Sequence, residues 1–206
     1  MIAYLSADLI GSTKFWSPPQ IEAFAHELAG SFVGKARVTD MALSQGDSFQ
    51  FEAHAREALS VALYVDALAR RDGRPGMRVA FAIQEAESNA DLPISVRSGP
   101  AYLAAGRGIV ELKRRRQRLG YFGAASSEGG WTTACMLCGT LADAHSEHQS
   151  EILAQLLREP ELRQATIAER LGITQQAVSK HYLAARIEAI LTAESEFREH
   201  VSSMET

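Results

Sequence analysis

The sequence predicts an α+β fold, with a sheet-and-helix sandwich first and an all-α module after it. Three observations predict this. Strand and helix patterns alternate as β-α-β-β-α-β-α-β over residues 1–125. After the small, polar run Ser126-Ser127-Glu128-Gly129-Gly130 every pattern is helical. Inside that second part, Gln164 to Leu183 (QATIAERLGITQQAVSKHYL) reads as two short helices meeting at a tight turn. The strand order suits a ferredoxin-like sandwich, an antiparallel or mixed sheet covered by helices. Two domains are expected, 1–125 and 126–206.

Residues 1–9, MIAYLSADL, form a strand pattern that ends at Asp8 and runs into the turn IGST. Ser17-Pro18-Pro19 then starts a helix, with Ser as cap and Pro in the first turn. Ile21, Phe24, Leu28 and Phe32 recur at helical spacing and predict one buried face. Arg37–Ser44 and Asp47–Ala53 read as two strands around Gln45-Gly46-Asp47, and Phe49 and Phe51 alternate onto one face. A helix through about Arg71 follows, carrying Leu59, Ala62, Leu63 and Ala69, and DGRPG closes it. Met77–Ile83 is a strand, Ser88, Asn89 and Pro93 fall in a polar segment, and a helix runs from about Pro100 to Arg118. Gly120–Gly123 gives a short strand. The helical part then reads as Trp131–His148, Gln149–Arg158 and the final pair, its second helix reaching about Leu191, with a fraying tail from Glu194.

In the final pair each small residue has a physical reason. Ala168 permits close approach of two crossing helices, and Gly172 tolerates the positive φ of the turn. Thr174 can cap the second helix, and Val178 and Tyr182 face the core. The combination resembles a helix-turn-helix. In that unit the N-terminal part of the second helix meets base edges in the major groove. The resemblance therefore makes Thr174, Gln175, Gln176, Ser179 and Lys180 the DNA-contacting candidates. Gln can pair bidentately with adenine, and Lys can reach guanine or phosphate.

Charge complicates that expectation. The chain carries a net charge of −4, and from 151 onward six Lys/Arg face nine Asp/Glu. Phosphate neutralisation supplies most non-specific affinity, so a homodimer, with twice the contacts, is expected. The one dense basic run, Lys113 to Arg118, can track phosphates, meet an acidic partner, or serve as a solvated helix end.

Residues 1–110 also resemble the catalytic domain of class III nucleotide cyclases, on ADLIGST, similar to that family's first-strand motif, and on GDSF, which follows a strand and is similar to its hairpin motif. The resemblance implies that Asp8 and Asp47 hold Mg²⁺ against a nucleoside triphosphate, with Gly11, Ser12, Thr13 and Arg107 on the phosphates. It also implies loss of activity: Leu103 stands where the family has the ribose-orienting Asn, and Leu43 where it has the base-reading Lys. Over nearly its whole length the order ADLIGS…QGDSFQ…MRVAFA…GPAYLAAGR, then a Trp and the helix-turn-helix, is similar to the SatD family, in which a degenerate cyclase-like sandwich precedes a helix-turn-helix.

Cys135-Met-Leu-Cys138 with His145 and His148 has the residue types of a zinc site. On one continuous helix, however, 135 and 148 lie roughly 20 Å apart, too far to share a metal. Buried thiols are expected instead. No run approaches the ~18 apolar residues of a membrane span, and the start lacks a basic signal-peptide region, so a cytoplasmic protein is expected. The leading expectation is a DNA-binding transcriptional regulator, not an enzyme, whose first domain senses a ligand or dimerises. The alternatives are a Mg²⁺-dependent nucleotide-binding protein or enzyme using Asp8 and Asp47, and a protein-interaction adaptor.

Overall fold

In a computed structural model, residues 1–32, 37–44, 46–85, 92–123 and 129–205 are described. Five strands form one sheet: β1 (Ile2–Leu9), β2 (Val38–Leu43), β3 (Ser48–His54), β4 (Met77–Gln84) and β5 (Leu119–Tyr121), in the order β2-β3-β1-β4-β5. β1 runs antiparallel to β3 and β4, β2 antiparallel to β3, and β5 parallel to β4. The first four strands thus have the ferredoxin-like order and directions, with β5 added at one edge.

Alternation along β1 divides the sheet into two faces. Ala3, Leu5, Ala7 and Leu9 join Phe49, Phe51 and Phe81 in the main core, beneath α2 (Pro18–Phe32) and α3 (Ala58–Ala69). Ile21, Phe24, Leu28 and Phe32 are the buried residues of α2, as their spacing predicts. Tyr4 and Ala82 face the other way, with Ala101 of α4 (Pro100–Arg115). That helix lies close to the sheet at Gly108, where a Cβ would stand 2.8 Å from the Ala80 Cβ. The second face is partly polar. Burial pushes the Glu52 carboxyl up, but hydrogen bonds from Thr39, Arg97 and Tyr4 more than reverse this and hold it below its ordinary value.

All twelve residues of α3 are buried, because helices cover it on the side away from the sheet. α6 (Glu147–Arg158) packs along α3, α5 (Gly129–Asp143) against β5, and α9 (Ile187–Met204) against α5 and the start of α3. One hydrophobic cluster runs without interruption from the sheet to Ile167, Val178, Ile187 and Phe197. Ion pairs follow the same seam: Arg198 with Glu57, and Arg71 with both Glu27 and Glu151.

Several expected boundaries are corrected. A four-residue helix, α1 (Ser12–Phe15), follows β1 where only a turn was expected. Gly129 and Gly130 open α5 instead of belonging to a linker; Ser126, Ser127 and Glu128 lie outside the described residues, as do Gln45, Ser88 and Asn89. The expected helix 131–148 breaks after Asp143, because Ser146 and Gln149 form a reciprocal cap that starts α6. The helix expected to reach Leu191 ends at Ala184, where Arg186 turns left-handed at φ 54°. The tail does not fray from Glu194. Phe197 packs edge-on to Phe81 at 5.7 Å and Trp131 at 5.3 Å, so burial holds α9.

Candidate nucleic-acid interface

α7 (Gln164–Leu171) and α8 (Gln175–Ala184) make the helix-turn-helix. α7 buries Ile167 and Ala168 and stops at Gly172, whose φ is 64°. The Ile173 N–H returns to the Ala168 carbonyl at 3.0 Å and the Gly172 N–H to the Glu169 carbonyl at 3.3 Å, satisfying two of the last carbonyls of α7. Thr174 caps α8 by accepting the Ala177 N–H on its Oγ1 at 3.1 Å. Val178 is fully buried, so the opposite side of α8 must face out. Thr174, Gln175, Gln176 and Lys180 are exposed, and Ser179 is half-buried.

Two contacts fix how α8 is rotated. The His181 ring stacks on His148 of α6, centroids 5.6 Å apart and planes within 16°. His145, in the α5–α6 corner, donates its Nε2–H to the Ala185 carbonyl at 2.8 Å. Burial holds the His145 imidazole below its ordinary value, and the Arg70 charge adds to this, while the bond to Ala185 opposes it.

The outward residues form an open recess of about 420 Å³, lined by Thr174, Gln175, Gln176, Ser179 and Gln164. Gln164 was not singled out from the sequence. Its signal was its place in the first turn of α7, which the helix crossing brings beside the start of α8. Of the six cations from residue 151 onward, Arg158, Arg170 and Arg198 pair with carboxylates. Among the described residues no ion pair engages Arg163, Lys180 or Arg186. The run Lys113 to Arg118 is mostly consumed internally: Lys113 pairs with Asp8, Arg114 and Arg115 with Glu111, and Arg118 with Asp143.

The second constellation is brought together only in part. Asp8 is buried on the α4 face, and its Oδ2 receives Arg78 at 3.1 Å and Lys113 at 3.3 Å. Burial nevertheless raises its carboxyl above the ordinary range, against those two cations. Asp47 sits half-buried in the β2–β3 turn, where its carbonyl accepts the Leu9 N–H at 3.2 Å. Gly11 starts α1 at φ 64°, and Ser12 and Thr13 share a cleft with Asp47. Arg107 is not in that cleft: it is exposed on α4, which covers the opposite face of the sheet from α2.

Among the described residues no three His, Cys, Asp or Glu side chains converge as metal ligands. The break between α5 and α6 removes the continuous helix from which the distance between Cys135 and His148 was reckoned. Both cysteines are buried: burial pushes the Cys138 thiol up to about 11, and burial with the neighbouring Cys138 raises Cys135 further. Neither is a ready thiolate. No helix among the described residues is long and apolar enough to cross a membrane.

No curated protein and no solved structure matches the chain. A family model described as winged helix-turn-helix DNA-binding matches residues 146–183, from the cap of α6 through α7 to the last turn of α8. The residues after this match form the helix α9, where a wing would require a β-hairpin. The match leaves the cyclase and SatD resemblances of the sandwich without support, and residues 146–183 are what this chain shares with a winged helix-turn-helix family.

Proposed function

We propose that this protein is a DNA-binding transcriptional regulator that docks α8 in the major groove. The observation that carries the reading is the outward set Thr174, Gln175, Gln176, Ser179 and Lys180 on a capped helix inside the matched segment. Gln175 and Gln176 supply base readout, Lys180 reaches guanine or phosphate, and Arg163 supplies a phosphate contact beside Gln164. With three uncommitted cations among the described residues from 151 onward, the module's non-specific term is small, so a homodimer on two half-sites is part of the proposal. The sandwich, residues 1–125, serves as the sensing or dimerising part, and the cytoplasm is where such a regulator works.

The nucleotide-binding reading of Asp8 and Asp47 is not favoured. Arg78 and Lys113 hold the Asp8 Oδ2, leaving only its buried Oδ1 without a partner among the described residues, and Arg107 stands on the other face. The test is a mobility-shift assay of the full chain on genomic fragments at about 50 and 200 mM salt. Lys180→Ala should weaken binding to all sequences alike. Gln176→Ala should lose about 1–3 kcal/mol on the preferred site only. Absence of any shift at the lower salt would end the regulator reading. Mass measured in solution checks the dimer.

A further inference from the structure

A cleft of about 670 Å³ opens between α1, the start of α2 and the β2–β3 turn. That volume is in the range of small-molecule sites, roughly 300–1,000 Å³. One wall, formed by Trp16, Pro18, Ile21 and Leu43, is apolar apart from the buried Trp16 Nε1–H, which has no hydrogen-bond partner among the described residues. Trp16 is only 8% exposed, braced by Phe24 at a ring distance of 5.1 Å and by the Arg74 guanidinium at 4.0 Å from its centroid. Ile21 of α2 and Leu43 at the end of β2 line the same space, and Leu43 remains 37% exposed, unusually open for a strand leucine.

Its charge is of one sign. Glu22 and Asp47 both line the cleft, and among the described residues no ion pair engages either carboxylate. Among the described residues no Lys or Arg lines it. Of the cations on the neighbouring elements, Arg74 lies over the Trp16 ring and pairs with Asp72, Arg78 and Lys113 hold Asp8, and exposed Lys14 stands 5.0 Å from the Phe15 ring centroid. An anionic ligand would meet two uncompensated carboxylates. An apolar ligand would leave both carboxylates unused. A ligand with an apolar body and a positive head satisfies walls and charge together, with the Ser12 hydroxyl as a further acceptor for its N–H groups.

We propose that this cleft binds a small organic ammonium carrying an apolar, ring-sized body, through Glu22 and Asp47 on the head and Trp16, Ile21 and Leu43 on the body. The proposal is independent of the DNA reading, since none of these residues belongs to the helix-turn-helix.

The test is thermal unfolding of the full chain with three probes: 2-phenylethylammonium, benzyltrimethylammonium, and neutral 2-phenylethanol. At tenfold excess over its dissociation constant, a bound ammonium raises Tm by about 3–5 °C for a chain of this size. The neutral alcohol should bind at least about fivefold more weakly, and so should 2-phenylethylammonium to the double variant E22Q/D47N. Glu22 is exposed and Asp47 half-buried, so the variant is expected to fold, and its Tm without probe verifies that. No rise with either ammonium up to about 10 mM overturns the proposal. So does equal binding of the alcohol, or binding that survives the double variant. A larger rise with Mg²⁺ and a nucleoside triphosphate than with the ammoniums would return the cleft to nucleotide chemistry and overturn it as well.

Discussion

Gly172 holds φ at 64° with open space around it, so an added Cβ there would meet strain and no clash. Gly108 is the converse, with ordinary backbone geometry but Phe122 and Ala80 atoms 2.5–2.8 Å from an added Cβ. Gly172→Ala should cost about 1–2 kcal/mol from the left-handed backbone, and Gly108→Ala about 1–3 kcal/mol from overpacking. Urea titration of both variants measures this. An unchanged midpoint for Gly172→Ala would mean that the turn does not hold its positive φ. His145 sets a pH dependence with a definite sign. Its folded value lies below its ordinary 6.5, so the unfolded chain takes up the proton first as pH falls. Stability on this account is level above about 6.5 and declines below it. Melting temperatures from pH 7.5 to 5 should show that decline, and His145→Gln, which cannot titrate, should flatten it.

The C-terminal helix shows how an element becomes ordered without looking ordered in the sequence. EAILTAESEFREHVSSM carries charges at almost every turn, and its apolar positions are sparse. Ile187, Ile190, Phe197 and Val201 nonetheless share one buried face, with Glu194 buried among them. Phe197 touches Phe81, Tyr121 and Trp131, three aromatics separated widely along the chain. Phe197→Ala should therefore cost about 3–5 kcal/mol, as a core aromatic does, where a frayed tail would cost almost nothing. Chemical denaturation separates the two. The recognition pair is the opposite case: Gly172, Thr174 and Val178 each do locally what the sequence says, because turn, cap and core positions of two adjacent helices need only short-range contacts.

Across the whole molecule a single core joins the sandwich to the helices, and Arg37, Arg71 and Arg198 tie the seam with charge. α6, which supports the recognition pair, lies along α3 of the sandwich. The full chain should then unfold in one cooperative transition, its calorimetric and van't Hoff enthalpies equal. Two separated transitions would show that the halves are energetically independent. The charge balance makes a further prediction for DNA. With Arg163, Lys180 and Arg186 as the uncommitted cations of the helix-turn-helix module among the described residues, log K against log salt should fall with a slope of about −2 to −3 per protomer. A slope near zero would remove phosphate contacts from the interface.

The sequence by itself determined the sheet-then-helices order, the buried face of α2, the two stacked phenylalanines of β3 and the turn and cap of the recognition pair, because these follow from periodicity and local backbone preference. Only the tertiary structure decided that Asp8 is held by Arg78 and Lys113, that Arg107 lies across the sheet from the cleft, and that Gln164 joins Gln175 and Gln176 in one recess. Those outcomes depend on which side chains distant segments bring within a few ångströms. Spacing along one chain carries no record of that until the sheet order and helix packing have fixed it.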